Sequence, residues 1–188
     1  MEEFCGYPAR WHHVTIAGRT LQLLMPVSAD SLLDDAHVAA RFAQDEYLPY
    51  WAALWPAAFI LAEEVATWPP VGSSPHPPVI LELGCGLGLV GLVALSRGYR
   101  VVLSDYDEDA LAFARLSAAR NGLPDPQPRF VDWRLTYDDL RPARIVAADV
   151  LYEARNLAPI AQFIRAHLAR DGVALVSEAN FFSLFPGR

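Results

Sequence analysis

The stretch Pro78–Leu95, PVILELGCGLGLVGLVAL, reads as a strand, a glycine turn and a helix in succession. Val79–Leu83 is a short apolar run with β-branched residues, the pattern of a buried parallel strand. The run breaks at Gly84-Cys85-Gly86-Leu87-Gly88, after which apolar residues continue with helical spacing and Gly91 sits among them. Such a corner can present backbone N–H groups and a helix N-terminus to a nucleotide-like ligand. Glycine supplies positive φ there and lets a ligand approach the backbone closely.

The glycines admit two registers. Gly86-x-Gly88-x-x-Gly91 fits the dinucleotide fingerprint, and Gly84-x-Gly86-x-Gly88 fits a looser methyltransferase loop. A glycine-rich corner that binds nothing is the third possibility, so the flanking chain has to decide.

Downstream, Tyr99–Asp105 reads as a second strand ending in an acid, 19 residues beyond Gly86. An acid there can accept hydrogen bonds from two ribose hydroxyls. Asp107, Glu108 and Asp109 open a helix over 108–121, where the dipole favours them, and Asn121-Gly122 closes it. Arg129–Trp133 is expected as a third strand and Ala143–Tyr152 as a fourth. A helix starting at Glu153 or Asn156 and a fifth strand over Val173–Ser177 follow. This alternation predicts an α/β fold: a doubly wound, mostly parallel, Rossmann-like sheet. Gly84, Asp105, Asp132, Trp133, Asp149 and Tyr152 then fall together at the carboxyl edge, where such sheets bind ligands.

Upstream, residues 11–16 and 20–24 flank Ala17-Gly18 and suggest a β-hairpin, with a short helix or irregular segment over 31–46. Tyr47, Tyr50, Trp51 and Trp55 crowd nine residues, and Pro56 suits the first turn of a helix running to about Thr67. Tyr50 and Trp51 are expected to fill core, Trp55 to face the ligand. The proline-rich stretch 68–78 is a loop. One domain over 1–188 is expected, with an N-terminal hairpin and helical layer (1–68) and an α/β core (79–180).

The 188 residues carry a formal net charge of −7 and are 53% hydrophobic. That balance argues against disorder and against a basic surface for nucleic acid. All 15 basic residues are arginine. The acidic start MEEFCGYPAR lacks a signal pattern, and the longest apolar run, 79–95, is short for a membrane span and contains Glu82. Two cysteines, Cys5 and Cys85, suit a reduced, cytoplasmic protein, and no His/Cys spacing suggests a metal.

A phosphate-free cofactor fits this set better than a dinucleotide. S-adenosylmethionine needs ribose acceptors, an aromatic slot for adenine and an electron-rich surround for its sulfonium. Glu82-Leu-Gly84-Cys-Gly86-Leu-Gly88, Trp55-Pro56, Asp132-Trp133 and Ala148-Asp149-Val-Leu-Tyr152 together resemble the class I (seven-β-strand) S-adenosylmethionine-dependent methyltransferases. They are most similar to the family 16 branch, which includes protein-lysine methyltransferases, and the likeness covers about residues 47–180.

The resemblance implies that Trp55 flanks the cofactor and that Gly84, Cys85 and Gly86 run along it, with Glu82 part of the same motif. It implies that Asp105 binds the ribose, that Trp133 lies by the adenine with Asp132 beside it as a cofactor-binding residue, and that Ala148 touches the cofactor. Asp149 and Tyr152 would face an incoming amine, making a protein lysine the expected acceptor. A small-molecule amine and a catalytically inactive binding module are the alternatives. Class I members carry two further antiparallel strands, for which the residues after Ser177 are too few; Phe181, Phe182 and Phe185 are expected to cover the edge in part.

Overall fold

The computed structural model describes residues 2–29, 32, 38, 42–43, 48–72 and 74–179. The segment expected over 31–46 lies largely outside them, and the expected cover by Phe181, Phe182 and Phe185 wholly so.

Strands β1 (Glu2–Phe4), β2 (Tyr7–Ile16) and β3 (Arg19–Pro26) form an antiparallel sheet in that order. The β2–β3 hairpin turns on Ala17 and Gly18, both at positive φ (47° and 78°), the backbone of a two-residue primed turn. Strand β1 was not expected from the polar Glu2-Glu3. It pairs through a second turn of the same kind at Cys5-Gly6.

A single 3-10 turn (Tyr50–Ala52) leads into α1 (Pro56–Thr67). Then come β4 (Val79–Leu83), α2 (Leu89–Ser96), β5 (Arg100–Asp105), α3 (Glu108–Arg120), β6 (Gln127–Phe130), β7 (Arg144–Ala148), α4 (Ala154–His167) and β8 (Val173–Ser177). The second sheet has the order β6-β5-β4-β7-β8, all pairs parallel. The chain winds outward from β4 to β6 and then returns to β7 on the other side. The switch point is therefore the gap between the carboxyl ends of β4 and β7.

Alternation along β4 divides the core. Ile80 joins the cluster beneath α1, α2 and α3, while Leu81 and Leu83 join the one beneath α4 with Ile160 and Phe163. The N-terminal sheet docks on α3. Asn121 does what a neighbouring strand would do: its side-chain oxygen accepts the Gln22 N–H (2.9 Å) and its amide donates to the Gln22 carbonyl (2.7 Å).

Two strands end earlier than the apolar pattern suggests. β6 stops at Phe130 because its partner β5 ends at Asp105, and a last bond from Val131 N–H to the Asp105 carbonyl closes the pairing. β7 stops at Ala148 because Asp149 sits at φ 51°, left-handed and incompatible with a strand. Asp132, Trp133, Asp149 and Tyr152 consequently project from loops, still at the carboxyl edge. No helix among the described residues is long and apolar enough to cross a membrane.

Candidate active site

The glycine corner is tight on both sides. Gly88 (φ 76°) begins α2, and a Cβ there would come within 2.7 Å of the Ala114 methyl. A Cβ on Gly84 would lie 2.9 Å from Val150 and 3.5 Å from the Trp133 ring. The backbone donors are spent inside the protein. Cys85 N–H donates to the Ser104 carbonyl (2.8 Å), Gly86 N–H to Asp105 Oδ2 (2.8 Å) and Gly88 N–H to the Cys85 carbonyl (2.7 Å). The expectation that this corner offers its N–H groups to a ligand is corrected at these three positions.

The N-terminus of α2 is filled as well. Glu82, 3% exposed, points beneath the helix and accepts the Gly91 N–H through Oε2 (2.7 Å). Burial pushes its carboxyl up to about 8, with Asp105 adding to the rise and the Gly91 N–H opposing it. A pyrophosphate would need that helix end; the Glu82 carboxyl group already occupies it. The dinucleotide register therefore loses its physical basis, and Glu82 supports the corner from within.

Asp105 stands at the end of β5 with Oδ2 on Gly86 N–H and Oδ1 on Asp107 N–H (3.1 Å). Burial raises its carboxyl to about 7. Asp105 borders the cavity, and carboxyl oxygens there can accept from hydroxyl donors. Next to it, Trp133 and Val131 give an apolar slot. Asp132 is held by Arg134 through a bidentate ion pair (Nε–Oδ1 2.8 Å, Nη2–Oδ2 2.8 Å), and the guanidinium lies 5.4 Å from the Tyr106 ring centroid. Burial opposes the charged form of Asp132, yet Arg134 holds it below its ordinary value. This loop is fixed from behind. The Tyr137 hydroxyl accepts Asp132 N–H (2.9 Å), and Tyr137 N–H donates to His167 Nε2 (2.8 Å).

The opposite rim is aromatic. Trp55, 37% exposed, donates its indole N–H to the Tyr50 carbonyl (2.7 Å), and the Tyr50 ring stands edge-on to Trp55 and to Tyr152 (centroids 5.9 and 4.8 Å). Burial, and then Glu153, push the Tyr152 phenol upward, so it stays neutral at physiological pH. Asp149 lies below, with Oδ2 accepting Ala57 N–H (2.8 Å) and Oδ1 accepting Ala179 N–H (3.0 Å).

These walls enclose a cavity of about 330 Å³, within the range of small-molecule sites. Trp55, Glu82, Gly84, Cys85, Gly86, Asp105, Asp132, Trp133, Ala148, Asp149 and Tyr152 all border it. Two of them turn their functional groups away: the Glu82 carboxyl lies under α2, and the Cys85 thiol is buried against the Gly86 carbonyl. Trp51 fills core, against Phe113, and also borders the cavity; Tyr50 is not part of the core and lines the cavity. Tyr106, Arg134 and Glu153 also line it, each immediately after an expected site residue. That adjacency was the signal available in the sequence.

A parallel sheet with this switch point, a glycine corner bonded inward, an acid closing β5 and an aromatic slot beside it fit a class I, Rossmann-like methyltransferase. The family model described as lysine methyltransferase matches residues 41–180, and the chain belongs to that family. Its cofactor is S-adenosylmethionine, and the residues fit it: carboxylate oxygens for the ribose, an apolar slot for the base, and no open phosphate cradle at the α2 end. The chain is 31% identical over 131 residues to the histone-arginine methyltransferase METTL23 of Mus musculus, covering 66% of this chain and 51% of that one. It is 25% identical over 109 residues to the histidine protein methyltransferase 1 homolog of Dictyostelium discoideum, covering 55% of this chain and 35% of the relative. The chain thus spans about half or less of these relatives' length. In fold it is similar to a SAM-dependent methyltransferase from Agrobacterium tumefaciens, with a TM-score of 0.57 at 16% identity, over 93% of this chain and 55% of that one.

Proposed function

We propose that this chain transfers a methyl group from S-adenosylmethionine to a side-chain nitrogen of a protein, with a lysine amine as acceptor. The observation that carries the reading is the rim: Tyr50, Trp55 and Tyr152 beside the carboxylates of Asp149 and Glu153 at the mouth of the cofactor cavity. Electron-rich rings and carboxylates together suit a cationic side chain. The net charge of −7 favours a basic partner in the same sense.

When bound, the cofactor supplies an electrophilic methyl group on a sulfonium. The protein's part is positioning. Asp149 can meet an arriving ammonium through the lone pairs that Ala57 and Ala179 leave unused, and Tyr152 can orient the nitrogen once it is neutral. A free lysine amine has a pKa of ~10.4, so its proton must leave to water before attack; the raised Tyr152 phenol is an orienting group, not the base. Both cysteines are free thiols, consistent with a cytoplasmic setting.

The named activity of the mouse relative, a histone-arginine methyltransferase, favours a second reading with a guanidinium acceptor at the same rim. Labelled S-adenosylmethionine, incubated with the protein and a cell lysate and followed by acid hydrolysis, separates them. Label in methyl-lysine is expected. Label in methyl-arginine supports the second reading, and label confined to small molecules, or none, contradicts both.

A further inference from the structure

Helix α1 begins without a cap of its own. Its N-cap residue is Trp55, whose side chain makes no capping bond, and its first turn contains no acid. A helix start normally calls for a nearby Ser, Thr, Asp or Asn. Here the acceptor comes from 92 residues away, as Asp149 Oδ2 takes the Ala57 N–H at 2.8 Å. A carboxylate at that end also answers the positive pole of the helix. The other oxygen takes Ala179 N–H (3.0 Å), and Asp149 N–H donates to the Ser177 carbonyl (2.8 Å). One side chain thus ties the start of α1 to the β7–α4 turn and to the chain leaving β8. It does so from a left-handed backbone (φ 51°), a conformation that non-glycine residues adopt only when their surroundings hold it.

The same two segments meet a second time. Trp55 Nε1 is fixed on the Tyr50 carbonyl (2.7 Å), and the Tyr50 ring abuts Tyr152 at 4.8 Å, three residues beyond Asp149. Residues 50–57 and 149–152 therefore form a closed belt across the cavity mouth, fastened at one end by a carboxylate and at the other by two rings. We infer that Asp149 is a positioning residue for the cofactor flank: by capping α1 it sets Trp55 in place. This role is separate from any contact with the acceptor, and it rests on the cofactor reading of the cavity, not on the identity of the acceptor. It also couples the two halves of the reaction, because the turn that carries Tyr152 is the turn that holds the cofactor's wall.

The test is a double-mutant cycle on S-adenosylhomocysteine binding, read by calorimetry, with Asp149→Ala, Trp55→Ala and the pair combined. Asp149→Ala is expected to weaken binding roughly tenfold, the scale of a lost hydrogen bond to a charged group. The double variant should bind no more weakly than the worse single one. Asp149→Asn, which keeps an oxygen for Ala57 N–H, should fall between wild type and Asp149→Ala, and it keeps the test open should the alanine variant fail to fold. Unchanged affinity in Asp149→Ala, or additive losses in the cycle, overturns the inference and leaves Asp149 to the acceptor alone. A wild-type protein that binds no S-adenosylhomocysteine overturns the cofactor reading itself, a distinguishable result.

Discussion

Replacing Glu82 with glutamine tests the buried carboxyl beneath the glycine corner through the pH dependence of stability. Glu82 is 3% exposed, and burial moves its carboxyl from 4.5 to about 8. An acid whose folded pKa is raised holds its proton more tightly in the folded state. Its contribution to stability is fully present below about 4.5 and is lost as the pH rises through about 8. At about 1.36 kcal/mol per pH unit, that window corresponds to a ceiling of about 5 kcal/mol. Asp105, raised to about 7, adds loss in the same direction, in wild type and variant alike. The Glu82→Gln amide keeps an oxygen for the Gly91 N–H and never ionises. Urea unfolding at about pH 5 and about pH 9 should show the wild type losing markedly more stability than the variant, with the variant the more stable protein at the higher pH. Equal losses in the two proteins would refute the reasoning, because they would mean that Glu82 ionises freely where it sits.

Three further outcomes follow from the same geometry. Gly91→Ala should destabilise by about 1–3 kcal/mol in thermal unfolding: its Cβ would lie 2.4 Å from Leu103 Cδ2 and 2.5 Å from Glu82 Oε2, and that overpacking outweighs the gain of about 1 kcal/mol in helix propensity. Tyr137→Phe removes the acceptor of Asp132 N–H and should weaken S-adenosylhomocysteine binding about fivefold by calorimetry, with the fold kept, since a part-buried donor is left without its partner. Tyr152→Phe should lower the rate of methyl transfer to protein while cofactor affinity holds, because the ring contact with Tyr50 survives and only the hydroxyl is lost.

The sequence made legible whatever depends on local pattern. The apolar run Val79–Leu83, the glycines after it and the acid closing Arg100–Asp105 appear as the structure has them. So does the Ala17-Gly18 hairpin, because a two-residue break ending in glycine between two alternating runs leaves room only for a tight turn. Strand ends were less legible. Val131-Asp132-Trp133 and Val150-Leu151-Tyr152 continue an apolar pattern past the point where their neighbours stop pairing, and a strand's length is set by its partner. The expected site residues border one cavity at the sheet's carboxyl edge, but the direction of each side chain is hidden in the sequence. Nothing in Glu82 says that it turns under α2, and nothing in Asp149 says that it caps a helix 92 residues earlier. Such long-range polar bonds are tertiary facts. Aromatic clustering alone points Tyr50 to the core; the bond its carbonyl accepts from Trp55 and its ring contact with Tyr152 keep it at the cavity instead.

The glycine corner, with the Cys85, Gly86 and Gly88 N–H groups turned inward and Glu82 at the α2 N-terminus, suits a phosphate-free nucleoside cofactor rather than a dinucleotide. Calorimetric titration with S-adenosylhomocysteine and, separately, with NAD tests that preference most directly. Binding of the first at one site per chain, its loss in Asp105→Ala, and no measurable binding of the second are the expected results. Preferential binding of NAD, or S-adenosylhomocysteine binding indifferent to Asp105, would contradict it.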